Sequence, residues 1–575
     1  MKHSDSPARV APGLPGACLL PFMASRAPGP TVVYRSGGFP GGDDVLVEKC
    51  AWRVGVQEQN EGRDQATFLA ERYGGQGIGY NGGGVRCGLS DGLQIKGIGC
   101  NPLVGENAPV DYAHGGLSLF ECMQESLWSR VFAKTLPFGA VETEGIIRFE
   151  EQCGWVLERW GAEALVPRYG NPPQLPRAIL VRKFSVRPAH FVRASLFRPA
   201  CARKQQIRAD VERVFAAQAV LPGLLPQDFG ARMAIGDSTE LLEFGMIELS
   251  RRLALQSSAA KAKRLVHGNI TASNICLDGR WIDFGSATAL PNWGPPTGYG
   301  PYWDDAAVYA DIFHDLLFAS SRTGVVTLRD AARIGQACVD TYVAVHEADL
   351  DTRLASLTGI PRVFFREGEA RACASRLART IRQLMKVGTQ GYLSPHPDQH
   401  ASYGRYRIGS LMRQLATAEG VAEKVALAQA HLGDCHLAQS LVGDYEGLWS
   451  ASLPCATALG VSPGALRRLS IVCTAKRSVM PDILFRERMV RLTEALVREF
   501  ESADELRHGL AALHDQVDEA CAAALDEPDS WVTTLPRESW PFCRYDALRD
   551  VFTTADDQQR VLDDDQIGHV LGGLT

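Results

Sequence analysis

Between His267 and Ala287 the chain reads HGNITASNICLDGRWIDFGSA, and this stretch limits its possible folds more than any other. It follows a segment of helical periodicity, Leu241 to Leu265, and then abandons that period for a hairpin pattern. Ile275 and Leu277 lead in, Asp278-Gly279 supplies the two-residue turn, and Trp281 and Ile282 lead out. A hairpin closed at that turn sets Asn274 and Asp283 at adjacent strand ends. Two neighbouring oxygen donors are what magnesium asks of a protein, because the ion keeps several waters and takes its other ligands from phosphates.

Composition sets the outer bounds. The chain has 575 residues, 45% of them hydrophobic, enough for more than one packed layer. A formal net charge of -6 speaks against nucleic acid as the main partner and confines any phosphate chemistry to a local cleft. The 15 cysteines are odd in number and contain no CxxC pair, which fits reduced thiols in a cytoplasm better than zinc or a disulfide framework. The early apolar run, Ala17 to Ala24, is short and interrupted by proline, and no later run is long enough for a membrane span.

Four regions are expected along the chain. Residues 1–60, rich in Pro, Gly and Ser, read as a flexible leader. Residues 61–204 read as a small sheet with one packed helix, including a strand at Ala178 to Phe184. Residues 205–450 are dominated by helical periodicity, with helices at Asp304 to Phe318 and Leu328 to Glu347 after the one before His267. Residues 451–575 read as a helical extension, with Leu492, Leu496, Leu506, Leu510, Leu513 and Val517 on its apolar faces. The expected class is α+β: a sheet-plus-helix part, a helical part and a helical C-terminal extension.

The order of His267, Asn274 and Asp283-Phe284-Gly285 resembles the catalytic and metal-binding loops of protein-kinase-like folds. Kinases place a catalytic Asp two residues after the His, where this chain has Asn269. The resemblance is closer to the selenoprotein O family, which also lacks that Asp and whose loop runs HG, five residues, N, and on to an Asp in IDYG. Further motifs follow the family's order. They are Tyr73-Gly74-Gly75-Gln76-Gly77-Ile78-Gly79, Gly84-Val85-Arg86, Leu93-Gln94-Ile95-Lys96-Gly97, Phe120-Glu121-Cys122, and VRKFSVRPAHFVRASLF from Val181 to Phe197. RPAHF and DGRWIDFG also resemble the MchC-type branch, found with maturation enzymes for peptide natural products such as microcins.

The resemblance implies a two-lobed kinase-like fold that binds ATP with Mg2+ or Mn2+ and transfers AMP to a protein or peptide acceptor. On a strand Lys96 shares a face with Gln94 and turns away from Leu93 and Ile95. The family match makes Glu121 its helix partner, and Glu125, one turn later, is the rival. Gly97 follows on the phosphate side. Arg86, Arg182 and Arg193 would clamp distal phosphates with planar guanidinium forks, with Arg187 a substitute. Asn274 and Asp283 would hold the metal. Ser273 stands where the family has an Asp that serves as a candidate base, and a hydroxyl accepts no proton usefully at neutral pH. Either the attacking group needs no strong base, another residue such as Asp278 or Asp304 supplies one, or nucleotide is bound without turnover. A pseudoenzyme that binds nucleotide as a partner in a peptide-maturation complex is the first rival reading. A small-molecule phosphotransferase is the second, and Asn269 opposes it.

Overall fold

A computed structural model describes residues 11–54, 64–106, 108, 115–152, 176–199, 203–226, 237–293, 305–386, 407–500, 502–525, 532–534, 543–554, 561–563, 565–567 and 570. The fold is mixed α+β, an antiparallel sheet followed by many helices. The sheet contains β1 (Leu19–Arg26), β2 (Thr31–Arg35), β3 (Trp52–Arg53), β4 (Gln65–Glu71), β5 (Cys87–Ser90), β6 (Leu93–Lys96), β7 (Leu117–Ser118), β8 (Thr143–Gln152) and β9 (Pro176–Lys183). Its order is β2-β8-β9-β6-β5-β4-β1-β3, with β7 attached to β9.

The leader expected over residues 1–60 is corrected by this sheet. β1 pairs with β4 from Leu19↔Glu71 to Ser25↔Gln65, and helix α1 (Asp43–Cys50) packs its Leu46 and Cys50 into the core. Pro21 is tolerated because β3 pairs only with Ser25 and Arg26, so among the described residues the other edge of β1 has no ladder for proline to break.

Helix α2 (Leu119–Thr135) lies against the sheet, with Leu119, Met123, Leu127 and Phe132 in the largest apolar cluster. Chain reversal then leads to α3 (Arg203–Leu224) and α4 (Ser238–Ala262). Asp237 caps α4 by accepting from the Thr239 N–H at 3.3 Å, and Leu242, Met246, Leu249 and Leu253 recur every three or four residues on its buried face. After α4, β10 (Leu265–Val266) pairs with β11 (Thr288–Ala289), so the residues between them form one closed loop. The expected hairpin is present inside it. Ile275 bridges Trp281, Cys276 N–H donates to Arg280 O at 2.8 Å, and Ile282 N–H donates to Asn274 O at 3.0 Å.

Helices α5 (Asp305–Thr323) and α6 (Leu328–Ala355) continue the body close to their expected positions. A second apolar cluster runs through α7 (Gly368–Lys386), α8 (Ile408–Thr417), α9 (Val421–Leu432), α10 (Cys435–Ala458) and α11 (Pro463–Ser478). Beyond them lie α12 (Arg486–Glu499) and α13 (Ala503–Ala524).

The C-terminal region is not wholly helical, which corrects the second expectation. β12 (Val532–Thr534), β13 (Cys543–Asp546) and β14 (Val551–Thr554) form a small antiparallel sheet that buries Tyr545 and Phe552 against Leu469 and Val472 of α11. Nor is the region an appendage. Helix α13 returns to the first sheet, where Asp518 receives Arg130 at 2.6 Å, Ser126 meets His514 at 3.0 Å, and Arg507 donates to Val32 O at 2.9 Å. Among the described residues no helix is long and apolar enough to cross a membrane.

Candidate functional site

The site forms where β6 and β9, helix α2 and the Asn274–Asp283 hairpin converge. Register places Gln94 opposite Arg182 and Lys96 opposite Leu180. Alternation then sends Ile95 into the apolar core and leaves Gln94 and Lys96, each 2% exposed, on the polar face. Lys96 Nζ donates to Glu125 at 2.5 Å and to Asp283 at 2.7 Å, so it joins the helix to the hairpin. Arg182 donates to the other oxygen of Glu125 and, through Nε, to Gln94 Oε1 at 2.7 Å.

Glu125, not Glu121, is therefore the partner of Lys96. Ser118 and Glu121 form a capping box: Glu121 N–H donates to the Ser118 hydroxyl at 3.2 Å, and Ser118 N–H donates to the Glu121 carboxylate at 2.9 Å. That use fixes Glu121 at the mouth of the helix, 4.0 Å from Arg86. One turn on, Glu125 meets the strand.

The polar network continues behind this pair. Gln94 donates to Glu71, and Glu71 receives Arg187 at 2.7 Å. Arg187 in turn donates to Ser273 O at 3.1 Å, which returns the path to the hairpin. Glu71 is fully buried, and burial would raise its pKa, but Arg187 and a hydrogen bond from His190 outweigh this and hold it down to about 2. Burial also opposes ionisation of Asp283, but Lys96, Arg182 and Arg86 keep its carboxyl well below the usual range. Asp283 has φ of 71°, a left-handed backbone that costs a non-glycine residue about 1–2 kcal/mol and is held here by its ion pair.

The remaining expected residues have differing fates. Arg86 is a fifth exposed and lies within the field of Asp283 and Glu121. Asn274 is buried, its amide donating to Asn269 O at 2.8 Å and its Oδ1 accepting from Ser273 at 3.3 Å. Ser273 Oγ also meets Thr271 Oγ1 at 2.9 Å, so this hydroxyl is bonded to neutral groups. Asp278 is paired with Arg280 at 2.8 Å within the turn, and Asp304 lies outside the described residues. His267 receives the Asn269 N–H on Nδ1 and therefore donates from Nε2 to Ile282 O at 3.1 Å. Its burial among Phe132, Trp281 and Phe284 pushes its pKa down to about 4, which makes it a neutral brace for the loop.

Two expectations are not met by side-chain geometry. Arg193 is half exposed and pairs with Asp210 at 3.6 Å. Its backbone meets the glycine-rich turn instead: Gly75 N–H donates to Arg193 O, and a Cβ on Gly74 would fall 2.1 Å from that carbonyl. Gly97 has φ of 96°, and a Cβ there would collide with Leu117 and the Ala178 carbonyl, so its role is strand packing. A Cβ added at Gly77 would fall 3.1 Å from Thr271, so the turn passes close to the hairpin loop.

Arg187, Glu71 and Gln94 form the rear of the network, and of these only Arg187 follows from motif spacing. Gln94 was legible as the strand-face neighbour of Lys96. A scan of the chain against protein-family models finds no match, and a search of curated proteins finds none significantly similar to it.

Proposed function

We propose that this chain has a two-lobed, kinase-like architecture that binds ATP with a divalent cation, magnesium or manganese, and transfers AMP to a protein or peptide side chain. The observation that carries this reading is the double contact of Lys96 with Glu125 and Asp283. A strand Lys held by a helix Glu and placed beside a loop Asp is the arrangement that orients phosphates in kinase-like active sites.

The donor set fits the cation. Asp283 keeps a second carboxylate oxygen beyond the one that Lys96 uses, its side chain is a third exposed, and the hairpin bonds it to Asn274 through adjacent backbone. Two protein oxygens suffice for an ion that shares phosphate ligands and keeps its waters. When bound, the cation neutralises phosphate charge. Arg86, partly open at the mouth, supplies a guanidinium for distal phosphate oxygens, while Lys96 and Arg182 hold the inner wall in place. Such a site acts by positioning and fixed charge.

The test uses purified protein with ATP labelled on either the α- or the γ-phosphate and candidate protein or peptide acceptors. Transfer of label from the α position supports AMP transfer; transfer only from the γ position overturns it. Ser273 favours a second reading, because its hydroxyl touches only Thr271 and Asn274 and meets no carboxylate or imidazole among the described residues. In that reading the protein binds nucleotide without turnover and presents a surface to a partner in a maturation complex. ATP and magnesium would then raise the melting temperature with no pyrophosphate released, whatever acceptor is added.

A further inference from the structure

Helix α2 presents Glu125 to Lys96, and apolar packing alone does not fix where along the helix axis that carboxylate stands. Leu119, Met123, Leu127 and Phe132 lie in the main apolar cluster, but apolar contact is non-directional. A displacement by one residue's rise, about 1.5 Å, changes a hydrogen-bond length by up to that amount, whereas such bonds stay strong over a range of roughly 0.5 Å. Directional contacts must therefore set the register of α2. One is at its N-terminal end, where β7 pairs with β9 through Leu117↔Ala178, directly before the Ser118 cap.

The others come from the C-terminal helices. Ser126, Arg130 and Lys134 are spaced by four and form one stripe on α2. His514 and Asp518, also four apart, answer it from α13. Ser126 Oγ meets His514 Nε2 at 3.0 Å. Arg130 reaches both carboxylate oxygens of Asp518, each at 2.6 Å, and Lys134 reaches the same carboxylate at 2.6 Å. A two-pronged guanidinium–carboxylate pair fixes orientation as well as distance. Gln124 donates to Thr493 of α12 at 3.5 Å. Glu125 is thus bracketed by two residues that touch the C-terminal helices, while its own side chain turns to Lys96 and Arg182.

Helix α13 is itself anchored away from α2. His514 packs on the Tyr34 ring of β2 at 4.8 Å, and Arg507 donates to Val32 O at 2.9 Å and pairs with Asp43 of α1 at 2.8 Å. It therefore refers α2 to β2, at one end of the strand order, while Glu125 works at β6 and β9. We propose that Asp518 is a positioning residue for the site: through Arg130 and Lys134 it sets the register of α2 against the sheet and so holds Glu125 on Lys96. The C-terminal region then acts on the site without touching it. Only the consequence for ATP affinity rests on the nucleotide reading, because the Lys96–Glu125 pair can be observed without a ligand.

The test is amine labelling of the full folded chain with a limiting dose of acetic anhydride, Lys96 and Lys183 being quantified in one digest by mass spectrometry. Lys96 is 2% exposed and the Lys183 side chain 66%, so Lys183 serves as the internal standard. Asp518→Ala is expected to raise the ratio of Lys96 to Lys183 labelling fivefold or more, and Asp518→Glu to restore most of the protection. Asp550→Ala, which breaks a pair of similar exposure with Arg468 in the C-terminal sheet, is expected to leave the ratio unchanged. Arg130→Gln removes the fork but keeps Lys134 on Asp518, so it should give a smaller rise, and it decides the matter should Asp518→Ala not fold. The proposal is overturned if Lys96 stays protected in the folded variants at Asp518 and Arg130, or if Asp550→Ala exposes it as much, which would make the effect a general loosening. In parallel, ATP with magnesium should bind Asp518→Ala at least threefold more weakly than the parent chain. An exposed Lys96 in Asp518→Ala together with no ATP binding by the parent chain would sink the nucleotide reading and uphold the positioning role.

Discussion

Arg182 and Arg264 are both 2% exposed, and the molecule treats them in opposite ways. Arg182 sits on a central strand between Gln94 and Glu125, inside a network in which Lys96 and Arg182 face Glu125 and Asp283. Arg264 sits at a helix end with backbone carbonyls, an indole and another arginine around it. The first cluster closes its own charge balance and so can hold a precise geometry without a ligand. The second surrounds its guanidinium with carbonyl dipoles and leaves the buried Nε without a hydrogen-bond partner, so its burial is less well compensated.

Removing a shared counter-ion is the most severe way to test the contrast. Glu125→Ala leaves Lys96 and Arg182 buried with only Asp283 close by, and is expected to destabilise by about 3–5 kcal/mol in urea unfolding. Glu121→Ala, which loses a capping box at the surface end of the same helix, is expected to cost about 1 kcal/mol. Equal costs would mean that the pairing of Lys96 with Glu125 contributes nothing beyond a cap.

Acid titration probes the compensated network from its other end. Glu71 titrates near 2 in the fold against an ordinary value of 4.5, so it contributes stability that is fully present above 4.5 and lost as pH falls toward 2. That loss is on the order of 3 kcal/mol. It should be smaller in Glu71→Gln, measured as the pH dependence of the urea midpoint.

Arg264→Met is expected to cost about 1 kcal/mol or less in urea unfolding. Relief of an uncompensated buried charge offsets the lost bonds to Pro291 and Arg477. Arg182→Met, by contrast, removes one of the two cations on buried Glu125 and leaves Gln94 without its donor, and should cost several-fold more; similar costs for the two would erase the contrast between them. The smallest effect belongs to Arg193→Ala. Arg193 is half exposed and 3.6 Å from an Asp210 that keeps Arg213, so the loss is worth under about 0.5 kcal/mol, and ATP affinity should change less than twofold if its side chain stays out of the site.

What the amino-acid text revealed follows from the range of the forces involved. The Asn274–Asp283 hairpin and helices α4 to α6 are set by local pattern, a DG turn and recurring apolar residues, and they stand where expected. Lys96 could be placed on its strand face from alternation alone. The choice between Glu121 and Glu125 was within reach, since Ser118-x-x-Glu121 is a capping-box signature that commits the first carboxylate to the helix end. The strands at 19–35 were hidden by the prolines and glycines around them, because their stability comes from pairing with residues 65–71 and 145–148, which no local window contains. The surroundings of Arg264 were illegible for the same reason: they are drawn from residues 262 to 525.

The return of α13 to the first sheet has a consequence for how the protein is made. Arg507 bonds the carbonyl of Val32 across 475 positions of chain. At about 5–20 residues per second, a ribosome needs roughly 25–95 s to travel that distance. Throughout that interval β2 lacks its cover, and the flank of α2 that receives Asp518 waits through 388 positions of its own. The nascent chain thus spends most of its synthesis with an unfinished face, and its yield in cells should depend on whatever shields that face until the last helix arrives.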